Sequence, residues 1–237
     1  MKVALIGYGK MGHIIEQKLL ERGHTVVARF NSQGIDLSEL KKAEIAIEFS
    51  KPESAFNNIK TTLEAGIPVV SGTTGWLKHY PEITALSQSK KVGFLYASNF
   101  SLGVNLFFAL NKKLAALMSS YPNYQASITE VHHLQKLDAP SGTGISLAEQ
   151  ILAENNLYKK WELKENAKKD DLSIEALREE NVPGTHIINY DCPIDSISIK
   201  HTAHSREGFA LGAVLAAEYL IDKTGVCTMQ DVLNLNE

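Results

Sequence analysis

Cys192 and Cys227 are the chain's only cysteines. Two are too few for a disulfide framework, and they stand at no metal-binding spacing. Long apolar runs are missing as well: none reaches the ~20 residues that a bilayer-spanning helix needs. Neither sign of charge dominates. Lys and Arg number 24 against 27 Asp and Glu, for a net charge of −3, so no bulk attraction for nucleic acid is expected. Met1-Lys-Val-Ala-Leu-Ile-Gly7 is too short for a signal peptide and reads as a first strand, which makes the cytoplasm the expected location. What remains is the composition of an ordinary globular chain. Its 237 residues are 44% hydrophobic and 22% charged, enough for one large domain or two modest ones.

The first hundred residues alternate strand and helix. Val3-Ala-Leu-Ile6 is a continuous apolar run, as expected of a strand buried on both faces. Gly7-Tyr8-Gly9-Lys10-Met11-Gly12 follows and fits G-x-G-x-x-G, and Ile14, Ile15 and Leu19 then recur at helical spacing. In this strand–glycines–helix context the pattern points to a dinucleotide site. Gly7 permits the tight turn, Gly9 lets a pyrophosphate approach, and Gly12 lets helix and strand pack closely. An NAD-selective fold would place Asp or Glu near the end of the next strand, to bond the ribose hydroxyls. Ala28-Arg29-Phe30-Asn31 holds no acid there. Arg29 suits a 2′-phosphate instead, so NADPH is expected to serve at least as well as NADH.

Further strands are expected at 44–49, 67–70 and 92–96, with helices between them. Only about a dozen residues separate the second and third strands, too few for a full crossover helix. The pattern implies a doubly wound parallel sheet with its ligand at the strands' carboxyl ends. Phe49-Ser50, Gly72-Thr73-Thr74 and Ala97-Ser98-Asn99-Phe100 fall at such ends.

A different chemistry is concentrated in Glu130-Val-His132-His133-Leu-Gln-Lys136-Leu-Asp138-Ala-Pro140-Ser141-Gly142-Thr143. Pro140 fixes its own φ and restrains Ala139, forcing an extended or turned backbone. Ser141-Gly142-Thr143 is a natural helix start ahead of Ile145, Ala148, Ile151 and Leu152. Two histidines and a lysine thus stand just upstream of free helix N–H groups, an arrangement suited to holding and protonating an anion. A metal site is disfavoured, because adjacent histidines on a strand face opposite ways and no Cys or carboxylate cluster stands at ligand spacing. Asp138 reads as a brace for the turn.

The centre of the chain reads as α+β. A helix is expected over 104–118 with Leu106, Leu110, Leu114 and Leu117 on one face, followed by a strand over 124–130. The charged stretch 157–182 reads as solvated surface without a binding role. Strands at 185–190 and 195–201 are expected to pair antiparallel, bent at Pro193. Phe209, Ala213, Leu215, Ala216 and Leu220 form a helix too apolar for an exposed tail, so it is expected to pack back on the first domain. Residues 1–101 plus 207–237 are therefore assigned to a Rossmann-type dinucleotide-binding domain. Residues 102–206 are assigned to an inserted α+β domain carrying a mixed or antiparallel sheet. His201 and His204 read as strand-end histidines, Arg206 as an active-site arginine or a partner of Glu207 or Glu130, and Trp76 and Trp161 as packing residues.

Over nearly its full length the chain resembles the dihydrodipicolinate (4-hydroxy-tetrahydrodipicolinate) reductases of the diaminopimelate route to lysine. The likeness rests on Gly7–Gly12, Gly72-Thr-Thr-Gly75, Asn99-Phe-Ser-Leu-Gly-Val-Asn105, the Glu130–Thr143 stretch and His201-x-Ala-x-Ser-Arg206. This chain is short for the family mainly after the second strand, where members usually carry the acidic ribose contact. The resemblance implies that Gly7 to Gly12, Gly72 to Thr74 and Ala97 to Phe100 line the nicotinamide cofactor. It implies His132 as the acid/base residue, Lys136 as the proton donor, and His133, Lys136, Gly142 and Thr143 as ligands of the substrate carboxylates. It also implies a homotetramer assembled through the sheet of the inserted domain.

Two rival readings lack their marks. Another Rossmann dehydrogenase, acting on an amino acid or a sugar, has no reason to carry His-His-x-x-Lys ahead of Asp-Ala-Pro-Ser-Gly-Thr. A dinucleotide-sensing regulator would need a recognition helix or a basic face.

Overall fold

The computed structural model describes residues 1–235, which form two compact units. One comprises Met1–Leu102 and the segment from Glu207 onward, and the other Gly103–Arg206.

The first unit runs β1 (Lys2–Ile6), α1 (Lys10–Glu21), β2 (Thr25–Phe30), α2 (Leu37–Leu40), β3 (Ile45–Glu48), α3 (Pro52–Glu64), β4 (Val69–Ser71), α4 (Tyr80–Lys90) and β5 (Gly93–Tyr96). The second comprises α5 (Leu102–Met118), β6 (Gln125–His133), α6 (Gly142–Glu154), β7 (Lys160–Leu163), β8 (Asp171–Glu179), β9 (Gly184–Asp191) and β10 (Ser196–Ala203). The chain then returns to the first unit as α7 (Glu207–Leu220), β11 (Gly225–Cys227) and α8 (Met229–Val232).

The first sheet has the order β11-β5-β4-β3-β1-β2, with every pairing parallel. Helices cover both of its faces, which is why its central strands are nearly continuous apolar runs. Val3, Leu5, Ile47, Val70 and Leu95 meet α1 and α7 on one side. Ala4, Ile6, Ala46, Val69 and Phe94 meet α3 and α4 on the other. The apolar helix expected after residue 206 is α7, whose Ala210, Ala213, Val214, Ala217 and Leu220 are all fully buried. Between β2 and β3 the chain makes only the single turn α2, started by the Asp36 side chain accepting from Ser38 N at 2.7 Å. The sequence had not marked β11, whose three residues are only partly buried.

The second sheet is mixed, in the order β10-β9-β6-β8-β7. β6 pairs parallel with β8 and antiparallel with β9. α6 lies on one face, where Leu147, Ala148 and Ile151 pack with Ile128, Leu172, Ile174, Ile188 and Tyr190.

Three expectations need correction. The charged stretch 157–182 is not solvated surface throughout: it holds β7 and β8, and β8 lies inside the sheet with Leu172 and Ile174 fully buried. Leu172, Ile174 and Ala176 recur every second position on the core face, while Asp171, Glu175 and Glu179 line the other. Three leucines of the α5 stripe point outward, Leu106, Leu110 and Leu117 at 47%, 51% and 67% exposure, while Leu114 packs against the core. The face turned inward is Val104, Phe107, Asn111, Ala115 and Met118. Finally, the strand expected to stop at Glu130 runs on to His133, so β6 itself carries both histidines, on opposite faces.

Candidate functional site

In the first unit, the loops named from sequence leave the carboxyl ends of parallel strands. Gly7, Tyr8 and Gly9 line a cleft of ≈ 540 Å³ together with Asn31, Phe49 and Ser50. Gly7 has φ +92°, and a Cβ there would lie 2.0 Å from the Phe49 carbonyl oxygen. At Gly12 a Cβ would lie 2.7 Å from the Gly7 carbonyl oxygen. Both glycines are thus demanded by the fold. Gly9 is different: a Cβ there meets nothing within 4 Å, so the protein itself does not require a glycine. Bare backbone at the start of α1, facing an open cleft, fits a group as large and anionic as a dinucleotide pyrophosphate.

Lys10 is exposed at the head of α1, whereas Met11 packs on the core. Gly72, Thr73 and Thr74 follow β4, and Ala97 to Phe100 follow β5, at the same edge of the sheet but outside that cleft. Thr74 and Ser98 are exposed, and Phe100 is a core side chain at 2% exposure. The Thr73 hydroxyl is committed elsewhere, donating at 2.9 Å to Glu48, a fully buried carboxylate at the end of β3. Glu48 also accepts from Ser71 Oγ at 2.7 Å, Ser50 N at 3.0 Å and the Ser50 hydroxyl. One carboxylate therefore ties together the ends of β3 and β4.

Arg29 is held by Glu16 of α1, to which it donates from Nε and Nη2. Its guanidinium carbon lies 5.7 Å from the centre of the Tyr8 ring, and the Tyr8 hydroxyl donates to the same glutamate. The Arg29 bonds hold the Glu16 carboxyl below its ordinary range, and the bond to Glu16 raises the Tyr8 phenol.

In the second unit, period-two geometry decides which side chains meet. Ala126, Ile128, Glu130 and His132 share the buried face of β6, and His133 points to the other. α6 starts over the end of this row. Its N-cap is Ser141, whose Oγ accepts from Gly144 N at 3.0 Å. Gly142 is exposed, and a Cβ there would meet nothing within 4 Å. Lys136 is half-buried and donates 2.8 Å bonds to both Asp138 oxygens, so Asp138 does brace the turn. The Lys136 bond in turn holds the Asp138 carboxyl low.

Sequence reasoning offered Glu130 only as a candidate partner of Arg206 and passed over Arg178 and His186. Glu130 is fully buried and accepts from Ser141 N at 2.9 and 3.0 Å and from Ser141 Oγ at 2.5 Å. Arg178 of β8 donates to the carbonyls of Lys136 and Asp138, at 3.3 and 2.7 Å. His186 of β9 lies with Nε2 3.2 Å from Ser141 Oγ. Alternation along β6 could have singled out Glu130. Nothing local marks His186 or Arg178, because they arrive by strand pairing. Glu130 is no partner of Arg206; the basic side chains beside it are His132, Arg178 and His186, at 3.7, 3.9 and 3.8 Å, of which only Arg178 carries a charge at pH 7. Glu130, His132 and His186 bring ligand-type atoms within 4.8 Å of one another. The Glu130 oxygens are already taken up by Ser141, and Arg178 beside them opposes a cation.

Burial pushes the His132 imidazole below its ordinary range, with Lys136 and Arg178 adding to the effect and Glu130 opposing it. His186 is pushed down to about 3 by burial first, then by His132, His201 and Lys136. The stability consequence has a definite sign. Below pH ~6.5 the unfolded chain takes up a proton on this histidine that the folded chain refuses until about pH 3. Stability is therefore expected to fall as pH drops, by ~1.4 kcal/mol between pH 7.5 and 5.5 from this residue alone. Urea melts of the wild type and His186→Gln at the two values check it; equal losses in both would refute the assignment.

A parallel dinucleotide-type sheet and a cationic cluster at a helix N-terminus define an oxidoreductase of the Rossmann class with an inserted α+β unit. Comparison with known proteins narrows this. The chain matches the family models for dihydrodipicolinate reductase, N-terminus, over residues 1–100 and C-terminus over residues 103–233. The chain belongs to the dihydrodipicolinate reductase family. It is 53% identical to the 4-hydroxy-tetrahydrodipicolinate reductase of Christiangramia forsetii, over 99% of this chain and 98% of that one. Identity to the 4-hydroxy-tetrahydrodipicolinate reductase of Clostridium novyi is 33%, over 98% of both. A solved dipicolinate-bound dihydrodipicolinate reductase from Paenisporosarcina sp. TG-14 shares the fold, with TM-score 0.78, 22% identity and 98% coverage of both chains. No helix among the described residues is long and apolar enough to cross a membrane.

Proposed function

We propose that the chain catalyses the NAD(P)H-dependent reduction of 4-hydroxy-tetrahydrodipicolinate to tetrahydrodipicolinate with loss of water, in the diaminopimelate route to lysine. The observation that carries this reading is the 53% identity, over 99% of the chain, to a protein bearing that reductase name. The geometry agrees with it. Gly7, Tyr8 and Gly9 with the rest of the first turn of α1, Arg29, Gly72 to Thr74 and Ala97 to Phe100 are the proposed cofactor residues. Reduced nicotinamide, when bound, supplies a hydride equivalent to the substrate ring.

The chain's own residues hold a dianion and deliver a proton. Gly142 and Thr143 offer N–H groups at the positive end of α6, suited to a carboxylate. His133 and Lys136 add donors and, in the lysine, charge. An arriving dianion competes with Asp138 for the Lys136 ammonium, turning a locally satisfied cation toward the substrate. Lys136 then gives a proton to the electron-rich enamine carbon formed when the conjugated imine is reduced. His132, its pKa lowered by burial, is neutral at pH 7 and able to take up a proton and return it. Cofactor oxidation that depends on enzymatically generated hydroxy-tetrahydrodipicolinate tests the reading; its absence with authentic substrate and both cofactors would reject it.

NADPH is proposed to serve at least as well as NADH, on the strength of Arg29. A 2′-phosphate must share that guanidinium with Glu16, so the preference is modest. Arg29→Ala is expected to lower kcat/KM for NADPH roughly tenfold, as for loss of one ~1.5 kcal/mol hydrogen bond to a charged group, and to leave NADH unchanged. A strong NADH preference that survives the substitution would refute it. The reading extends to a cytoplasmic homotetramer. Edge strand β10 supports the assembly, with Ile197 39% exposed, and sedimentation velocity tests it.

A further inference from the structure

We propose that Glu130, a buried carboxylate of β6, is a positioning residue of the substrate site, aiming the Gly142 and Thr143 amides. The inference rests on the substrate reading above and deepens it. It starts from a cost: a fully buried carboxylate is stripped of water and persists only where donors replace it. Here the donors are the backbone N–H and hydroxyl of Ser141, at 2.5 to 3.0 Å. Capping α6 does not require this. Ser141 Oγ alone meets the Gly144 N–H at 3.0 Å.

What Glu130 adds is direction. Because the Ser141 hydroxyl donates to Glu130, its lone pairs are left for Gly144 N. The first turn of α6 is thereby locked to β6, and the Gly142 and Thr143 amides take their direction from the strand that carries His132. Gly144 is part of the device: a Cβ there would lie 2.5 Å from Glu130 Oε2. The same carboxylate sits 3.7 Å from His132 Nδ1 and 3.9 Å from Arg178 Nη1. Arg178 in turn holds the Lys136 and Asp138 carbonyls. One buried carboxylate thus joins the start of α6 to β6, with the Arg178 guanidinium of β8 beside it.

The test uses pyridine-2,6-dicarboxylate (dipicolinate) as the probe, with binding to the NADPH-loaded protein measured by calorimetry. Glu130→Gln keeps the size and removes the charge. It is expected to weaken dipicolinate at least tenfold and to lower kcat/KM mainly by raising KM, with NADPH affinity within twofold of wild type. Ser141→Ala cuts the link at its other end and is expected to weaken dipicolinate at least threefold with the same KM-dominated loss. It decides the matter if Glu130→Gln does not fold. Lowered thermal stability with dipicolinate affinity and KM unchanged, in whichever of the two variants folds, would overturn the proposal. Wild-type protein that turns over no hydroxy-tetrahydrodipicolinate would sink the substrate reading, whatever the variants do.

Discussion

Lys136→Ala is expected to lower kcat by ~10²–10⁴, the usual cost of losing a general acid, while NADPH still binds. Lys136 is half-buried, held by Asp138 and by the turn that Arg178 fixes. Its backbone is therefore fixed near the start of α6, and only the ammonium has to leave Asp138 when the substrate comes. The substitution removes both a proton source and a charge that favours the dianion, so KM is expected to rise as kcat falls. His132→Ala is expected in the same range, with a different pH signature. Burial lowers the His132 pKa, so activity that depends on the neutral ring should persist below pH ~6.5, and the variant should lose that acid limb. Steady-state kinetics across pH 5–8, with NADPH affinity measured in parallel, check both. Near wild-type turnover in either variant would remove that residue from the mechanism.

That an anion could be held and protonated here was open to sequence reasoning because it depends on local order, whereas the separate roles of Lys136 and His132 came from the family resemblance. Strand, rigid turn and helix start follow one another between Glu130 and Thr143, and residue type alone marks the cationic side chains. The first unit was legible for a similar reason: continuous apolar runs separated by helical periods allow only a parallel sheet covered on both faces. Features created by distant pairing stayed hidden. β8 looks like surface because its charges are as frequent as its apolar residues, and only docking against β6 shows which face is core. His186 and Arg178 reach the cluster through β9 and β8, at sequence distances that no local pattern spans. The α5 stripe misled for another reason. A helix 17 residues long with apolar residues all round gives no unique inward face, and Phe107 and Met118 took the place assigned to the leucines.

Within the glycine fingerprint the three positions should separate cleanly, although all three are glycine. Gly7→Ala is expected to cost ~3–5 kcal/mol, combining a left-handed backbone with overpacking against a carbonyl oxygen. Its Cβ would lie 2.0 Å from Phe49 O, backbone that cannot step aside. At ~2–4 °C per kcal/mol the melting temperature should fall by roughly 10 °C. Gly12→Ala should also destabilise, since the Gly7 carbonyl is 2.7 Å away. Gly9→Ala meets no atom within 4 Å and has φ −98°, open to any residue. The fold should keep its melting temperature within a degree or two, yet NADPH affinity should fall by on the order of a hundredfold. A methyl group at that place keeps the pyrophosphate off the α1 amides, and two charge-assisted hydrogen bonds at ~1.5 kcal/mol each account for the loss. Thermal melts and NADPH titrations on the three variants read fold and ligand separately. A Gly9→Ala protein that binds NADPH as the wild type does would mean that the cleft at the head of β1 is not where the dinucleotide sits.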